Sequence, residues 1–178
     1  MQFQPTDIEG LTAIRLTRFA DERGTFARLF CRDSFAGHGL VHSFVQASLS
    51  VTQHAGTLRG LHFQRPPHEE VKLIRCVRGA IFDVVADLRP ASPTYLRWQG
   101  FELSPGSDIA LYIPKGCAHG FQTLTDDCEV LYQMSTPYAP GYADGVRYDD
   151  PMLNIGWPRA VAMIADKDLA WPAIPARG

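Results

Sequence analysis

Short runs rich in β-branched and aromatic residues recur along this chain about every 8–12 residues, with Gly, Pro, Asp or Ser between them. The runs are Thr12–Phe19, Phe44–Val51, Leu58–Gln64, Val71–Val77, Ile81–Leu88, Leu96–Leu103, Ile109–Ile113, Cys117–Leu124 and Glu129–Met134. No helix-period stretch dominates. The pattern predicts an all-β sandwich or barrel. Arg78-Gly79 separates two runs tightly enough for a hairpin. Asp33–Gly39 reads as a short peripheral helix, capped by Asp33 or Ser34 and stopped by Gly39. From Pro151 the tail, with Pro158, Pro172, Pro175, Trp157 and Trp171, reads as an irregular or short-helical extension over the barrel.

The 178 residues suit a single domain, 1–178, able to bury a core without staples. A net charge of −2 with no long run of one sign argues against a nucleic-acid partner. The apolar runs are too short for a membrane span, and the N-terminus shows no secretory signal. Four cysteines without a C-x-x-C spacing suggest reduced, mostly buried thiols and a cytoplasmic location.

Period-2 alternation assigns side chains to faces. His62 shares a face with Leu58 and Gln64, while Arg59, Leu61 and Phe63 point the other way. Lys72 lies with Ile74 and Cys76, and Tyr132 with Val130 and Met134. Each alone has an ordinary structural role: a hydrogen-bonded histidine, a lysine reaching solvent, a core tyrosine. If the three faces line one barrel, three ionisable groups enter one cavity. Burial of that kind is costly unless the groups are paired or functional.

The segment Pro114-Lys115-Gly116-Cys117-Ala118-His119-Gly120-Phe121 carries the P-x-G-x-x-H pattern of the second cupin motif. The first motif of a metal cupin is missing. Lys72 stands where its glutamate would precede Gly79, and no H-x-H comes before it, only His68. An ammonium in that place is incompatible with an ordinary divalent site, so no metal is expected. A fixed cation there suits the oxygen of an enolate.

The chain resembles the dTDP-4-dehydrorhamnose 3,5-epimerase family of nucleotide-sugar epimerases from about Ile14 to Asp168. The resemblance rests on Asp21-Glu22-Arg23-Gly24, Phe44-Val45-Gln46, Leu58-Arg59-Gly60-Leu61-His62-Phe63-Gln64, Lys72-Leu73-Ile74-Arg75, Ala118-His119-Gly120-Phe121, Leu131-Tyr132 and Tyr138-Ala139-Pro140. It implies a cupin jelly-roll barrel, a homodimer with an exchanged N-terminal segment, and no metal or organic cofactor. It also implies roles. His62 is the base, oriented by Asp168, with Asp166 the alternative in the same A-D-K-D run. Lys72 lies at the C4 carbonyl, and Tyr132 is the acid on the opposite face. Arg59 holds the diphosphate, Arg23 and Phe26 of the exchanged segment help hold the nucleotide, and Gln46 and His119 line the sugar pocket. Tyr138 belongs to the same substrate-binding set. The implied reaction inverts C3, C5 or both in a nucleotide-linked 4-keto-6-deoxyhexose, with dTDP-4-dehydro-6-deoxy-glucose to dTDP-4-dehydro-L-rhamnose the leading pair.

Three positions depart from the family pattern. Arg28 stands where a Glu is common, Ala47-Ser48 replace Asp-Asn, and Glu70-Val71 replace Gln-Gly before the lysine. The catalytic set is intact while the specificity set is not. A single-carbon epimerase on another nucleotide sugar, a 3,4-ketoisomerase and a non-catalytic sugar-binding cupin are the alternatives. Solvent deuterium separates them. An epimerase labels C3 or C5, an isomerase moves hydrogen between C3 and C4, and a binding module labels nothing.

Overall fold

A computed structural model describes residues 1–175 of the chain. In chain order the strands are β1 (Gln2–Pro5), β2 (Thr12–Arg15), β3 (Arg18–Asp21), β4 (Gly24–Ala27), β5 (Gln46–Thr52), β6 (Thr57–Gln64) and β7 (Lys72–Arg78). Then come β8 (Ile81–Asp87), β9 (Trp98–Leu103), β10 (Ile109–Ile113), β11 (Cys117–Thr123), β12 (Cys128–Met134), β13 (Ala143–Gly145) and β14 (Met163–Ile164). Two short helices accompany them, α1 (Arg32–Gly37) and α2 (Asp166–Leu169). No helix among the described residues is long and apolar enough to cross a membrane.

One sheet runs β1-β2-β10-β7-β12-β5 and the other β13-β6-β11-β8-β9, with β14 added parallel to β6. Every other pairing is antiparallel. The inner faces meet in a core drawn from both sheets. Ile74, Leu111 and Val130 come from the first, and Ile81, Val85, Leu103 and Phe121 from the second. Helix α1 covers the outer face of the first sheet, where Phe35 packs with Ile14, Leu73 and Tyr112. The C-terminal segment covers the second, setting Leu153, Ile155, Trp157 and Ile174 over Leu61, Val84 and Ala118.

The expected all-β barrel is what forms, with four differences of detail. Arg78-Gly79 closes no hairpin but carries the chain from β7 in one sheet to β8 in the other. Thr12–Phe19 is two strands: β2 joins the first sheet, and β3 leaves it to pair only with β4. The Leu16 N–H still donates to the Asp108 carbonyl in the register of β10 (2.8 Å), and the chain leaves the sheet after it. Helix α1 starts ahead of both expected caps, with Cys31 at the N-cap and no side-chain cap bond. The strands β1, β4, β13 and β14 are too short to stand out as periodic runs. All four cysteines are unpaired and three are buried.

Along the inner faces the side chains change character toward one end of the barrel. Strand β7 runs Cys76, Ile74, Lys72 and strand β12 runs Val130, Tyr132, while β11 carries Phe121 and then His119. The apolar core gives way there to an open polar mouth.

Candidate active site

Simple alternation on β6 would put Arg59 and His62 on opposite faces. The register against β11 overturns that expectation. His119 faces His62 and Phe121 faces Arg59, with a shift between the two pairs. Three steps on β6 oppose two on β11, the signature of a bulge with one extra residue. Both side chains therefore reach the inner face. Glycines permit the close approach this needs. Gly60 has φ +135°, and a Cβ there would lie 2.5 Å from the Gly120 Cα, while a Cβ on Gly120 would lie 2.8 Å from the Arg59 carbonyl oxygen. The R-G-L-H and A-H-G-F runs are thus two halves of one feature.

The inner-face groups open into a cleft of two lobes, about 520 and 500 Å³, bordered in common by Ser48, His62, Lys72, Tyr132 and Lys167. The first lobe adds Ser50, Arg59, His119 and Asp168. The second adds Gln46, Gln64, Glu70, Tyr138 and Trp171. His62 comes from one sheet, while Tyr132 and Lys72 come from the other, so a flat ligand in the cleft meets base and phenol from opposite sides.

His62 Nε2 lies 2.7 Å from Asp168 Oδ1, and the other carboxylate oxygen accepts from the Gly60 N–H at 3.2 Å. Burial pushes the Asp168 carboxyl up, but the hydrogen bond and charge of His62 and the Gly60 N–H outweigh it, and the net shift is downward. A carboxylate only accepts, so in neutral His62 the proton sits on Nε2 and Nδ1 keeps the lone pair. Asp166 instead opens α2, its carbonyl accepting from the Ala170 N–H.

Lys72 Nζ donates to the His62 carbonyl and pairs with Glu70 Oε1, both at 2.9 Å. Burial raises the Tyr132 phenol well above its usual range, the charge of Asp83 raises it further, and Arg59 opposes them. The phenol stays protonated at any working pH. Behind it His119 Nε2 meets Asp83 Oδ2 at 2.7 Å, with both side chains buried. Burial raises the Asp83 carboxyl against the opposing pull of His119 and Lys72. Arg59 Nε donates to Thr52 Oγ1 at 3.0 Å, which steadies the guanidinium at the first lobe.

The remaining expected residues fall in different places. Gln46 sits in the second lobe, and its side-chain oxygen accepts from the Tyr138 N–H at 2.9 Å. The Tyr138 ring is largely exposed at that lobe's rim. Arg23 and Phe26 are on the β3–β4 hairpin and line a separate hollow, outside the cleft of their own chain. Sequence reasoning missed Lys167, Asp83 and Trp171. Asp83 carried a usable signal, since alternation on β8 puts it with Ile81 and Val85. Trp171 packs edge-on to His62, with ring centroids 6.3 Å apart, over Gly145, where a Cβ would lie 2.5 Å from the indole. Nothing in the local sequence announces that contact. Among the described residues no cluster of three or more His, Cys, Asp or Glu could hold a metal ion.

The family model described as dTDP-4-dehydrorhamnose 3,5-epimerase matches residues 5–175. The chain belongs to the dTDP-4-dehydrorhamnose 3,5-epimerase family. It is 39% identical over 175 residues to a dTDP-4-dehydrorhamnose 3,5-epimerase of Sinorhizobium fredii, covering 98% of this chain and 90% of that protein. It is 40% identical over 169 residues to a dTDP-4-dehydrorhamnose 3-epimerase of Streptomyces niveus, covering 94% and 81%. The crystal structure of the Bacillus anthracis dTDP-4-dehydrorhamnose 3,5-epimerase, with TDP and PPi bound, superposes with a TM-score of 0.94 at 38% identity, covering 97% and 99% of the two chains. Against this family's pattern, two of the three departures lie in the cleft, at Ser48 and Glu70. Arg28 lies beside the hairpin, near Phe19 and Phe26.

Proposed function

We propose that this member of the dTDP-4-dehydrorhamnose 3,5-epimerase family converts dTDP-4-dehydro-6-deoxy-glucose to dTDP-4-dehydro-L-rhamnose, inverting C3 and C5 by proton transfer among its own side chains. The observation that carries this is the pairing of His62 with buried Asp168 on one wall, faced by a protonated Tyr132 and the Lys72 ammonium on the other. A hydrogen next to a ketone is acidic because the carbanion delocalises onto oxygen. His62 Nδ1 takes it, and Asp168 supports the imidazolium that results. Lys72 neutralises the enolate oxygen. Tyr132 returns a proton from the opposite face, which inverts the carbon; once solvent has taken the proton from His62 and reprotonated Tyr132, the second carbon follows by the same steps.

Arg59 and Lys167 at the first lobe supply positive charge for the diphosphate. His119 and Gln46 border the sugar, and Tyr138 offers an exposed ring to the nucleobase. The hairpin bearing Arg23 and Phe26 serves the cleft of a second copy in an exchanged homodimer, which accounts for its distance from its own. The whole chain acts as one cupin-type domain in the cytoplasm, where nucleotide sugars are made.

The test is incubation of the purified protein with dTDP-4-dehydro-6-deoxy-glucose in D₂O, followed by NMR. Deuterium at both C3 and C5 with the L-rhamno product is expected. Label at C3 alone would make it a single-carbon epimerase, and hydrogen transfer between C3 and C4 a ketoisomerase. Absence of any label would overturn the reading.

A further inference from the structure

Two carboxylates that the proposed proton transfers leave idle border the second lobe: Asp144, already engaged by Arg65 at 3.1 Å and by the Gly145 N–H at 2.8 Å, and Glu70. The Glu70 side chain is only 6% exposed, yet it borders the second lobe beside Lys72. Oε1 is held by the Lys72 ammonium at 2.9 Å. Oε2 is buried and has no hydrogen-bond partner among the described residues. A buried carboxylate oxygen left without a donor is costly. The terminal torsion of a glutamate is broad, so a small turn presents one oxygen to the lobe while the other keeps the lysine. An ionised carboxylate only accepts hydrogen bonds, so the group that satisfies it must be a donor.

The geometry points to Glu70 as a specificity-determining residue that accepts a hydrogen bond from the C3 hydroxyl of the sugar. This rests on the proposed epimerase reaction, in which Lys72 lies at the C4 ketone oxygen. Glu70 is bound to that same ammonium and so lies next to the ketone. Of the two carbons flanking the ketone, C5 carries a methyl group and C3 carries a hydroxyl. Only C3 offers a donor. A charged acceptor holds a hydroxyl more firmly than a neutral amide does. Glu70 stands where the family pattern often has Gln.

The experiment is a four-cornered comparison: the wild type and Glu70→Ala, each with the parent sugar and its 3-deoxy analogue. Deuterium entry at C5 is the readout, because both sugars retain that C–H. For the wild type, removing the hydroxyl lowers kcat/KM for C5 exchange by about tenfold or more, since a site built to bond a hydroxyl discriminates strongly against its absence. In Glu70→Ala the same removal costs less than about threefold. Should Glu70→Ala fail to fold, Glu70→Gln takes its place, since its amide oxygen serves Lys72 and no second acceptor remains. An equal penalty in wild type and variant overturns the proposal and reduces Glu70 to a support for Lys72. Wild-type exchange with that equal penalty leaves the epimerase reading standing. No wild-type exchange on either sugar removes both.

Discussion

In the proposed mechanism His62 and Tyr132 act at different moments, which lets them be told apart experimentally: the first removes a proton and the second gives one back. His62→Ala should lower exchange of the substrate C–H hydrogens by about 10²–10⁴-fold, the usual worth of a positioned base, with an unchanged melting curve. The partly exposed ring supports little of the core, so the fold has small need of it. Tyr132→Phe should keep the ring packed against His119, where the centroids are 5.7 Å apart, and lose only the hydroxyl. Net inversion should then fall further than C–H exchange. Both rates are read from one D₂O time course, by separating label that returns to the same face from label that inverts the carbon. Equal losses of inversion and exchange would make Tyr132 a packing residue.

At the scale of elements, the connection from β8 to β9 shows how a buried charge can fix a loop. Asp87 is fully buried and takes Arg89 Nη2 at 2.7 Å, Ser92 Oγ at 2.5 Å and Thr94 Oγ1 at 2.6 Å. Burial alone would raise its carboxyl, but these donors overcome that and hold it at about 2. A depressed folded-state value means the stabilisation is full above the ordinary carboxylate range near 4. It is lost as pH falls through about 2. Asp87→Asn should therefore cost about 3 kcal/mol at neutral pH, as breaking one partner of a buried pair does. The gap between variant and wild type should narrow between about pH 4 and 2, in urea melts taken across that range. A gap independent of pH would mean that packing, not charge, does the holding. The same scale shows what sequence can convey. Lys72 and Tyr132 were legible as inward-facing because regular strands alternate, and their neighbours Ile74 and Val130 are plainly core. Arg59 was not, because a bulge belongs to a pair of strands and only β11 reveals it. Asp168 became readable through a family motif alone. Its approach to His62 depends on a tail that crosses the barrel and returns, as does that of Trp171, and no local pattern encodes the return.

At the scale of the whole molecule, the β3–β4 hairpin is incomplete as it stands. Its strands pair only with each other, and the facing Phe19 and Phe26 are 64% and 71% exposed. Paired aromatic rings left in water mark a contact surface more often than a neutral one. Arg23 sits at the hairpin's turn, held by Asp21, in a hollow lined by hairpin residues alone among the described residues. In the proposed homodimer, exchange of this hairpin between two copies would cover the rings and bring an arginine to the neighbour's nucleotide. The arrangement makes a quantitative demand. His62→Ala spoils the barrel and spares the hairpin, while Arg23→Ala does the reverse. In a mixed dimer, one barrel is intact and receives its hairpin from the other chain. Unfolding and refolding the two variants together in equal amounts gives about half mixed dimers, each with one whole site. Activity should recover to about a quarter of the wild-type level from two weakly active parents. If each chain instead completed its own site, every site in the mixture would carry one lesion or the other, and the activity would remain the mean of the parents.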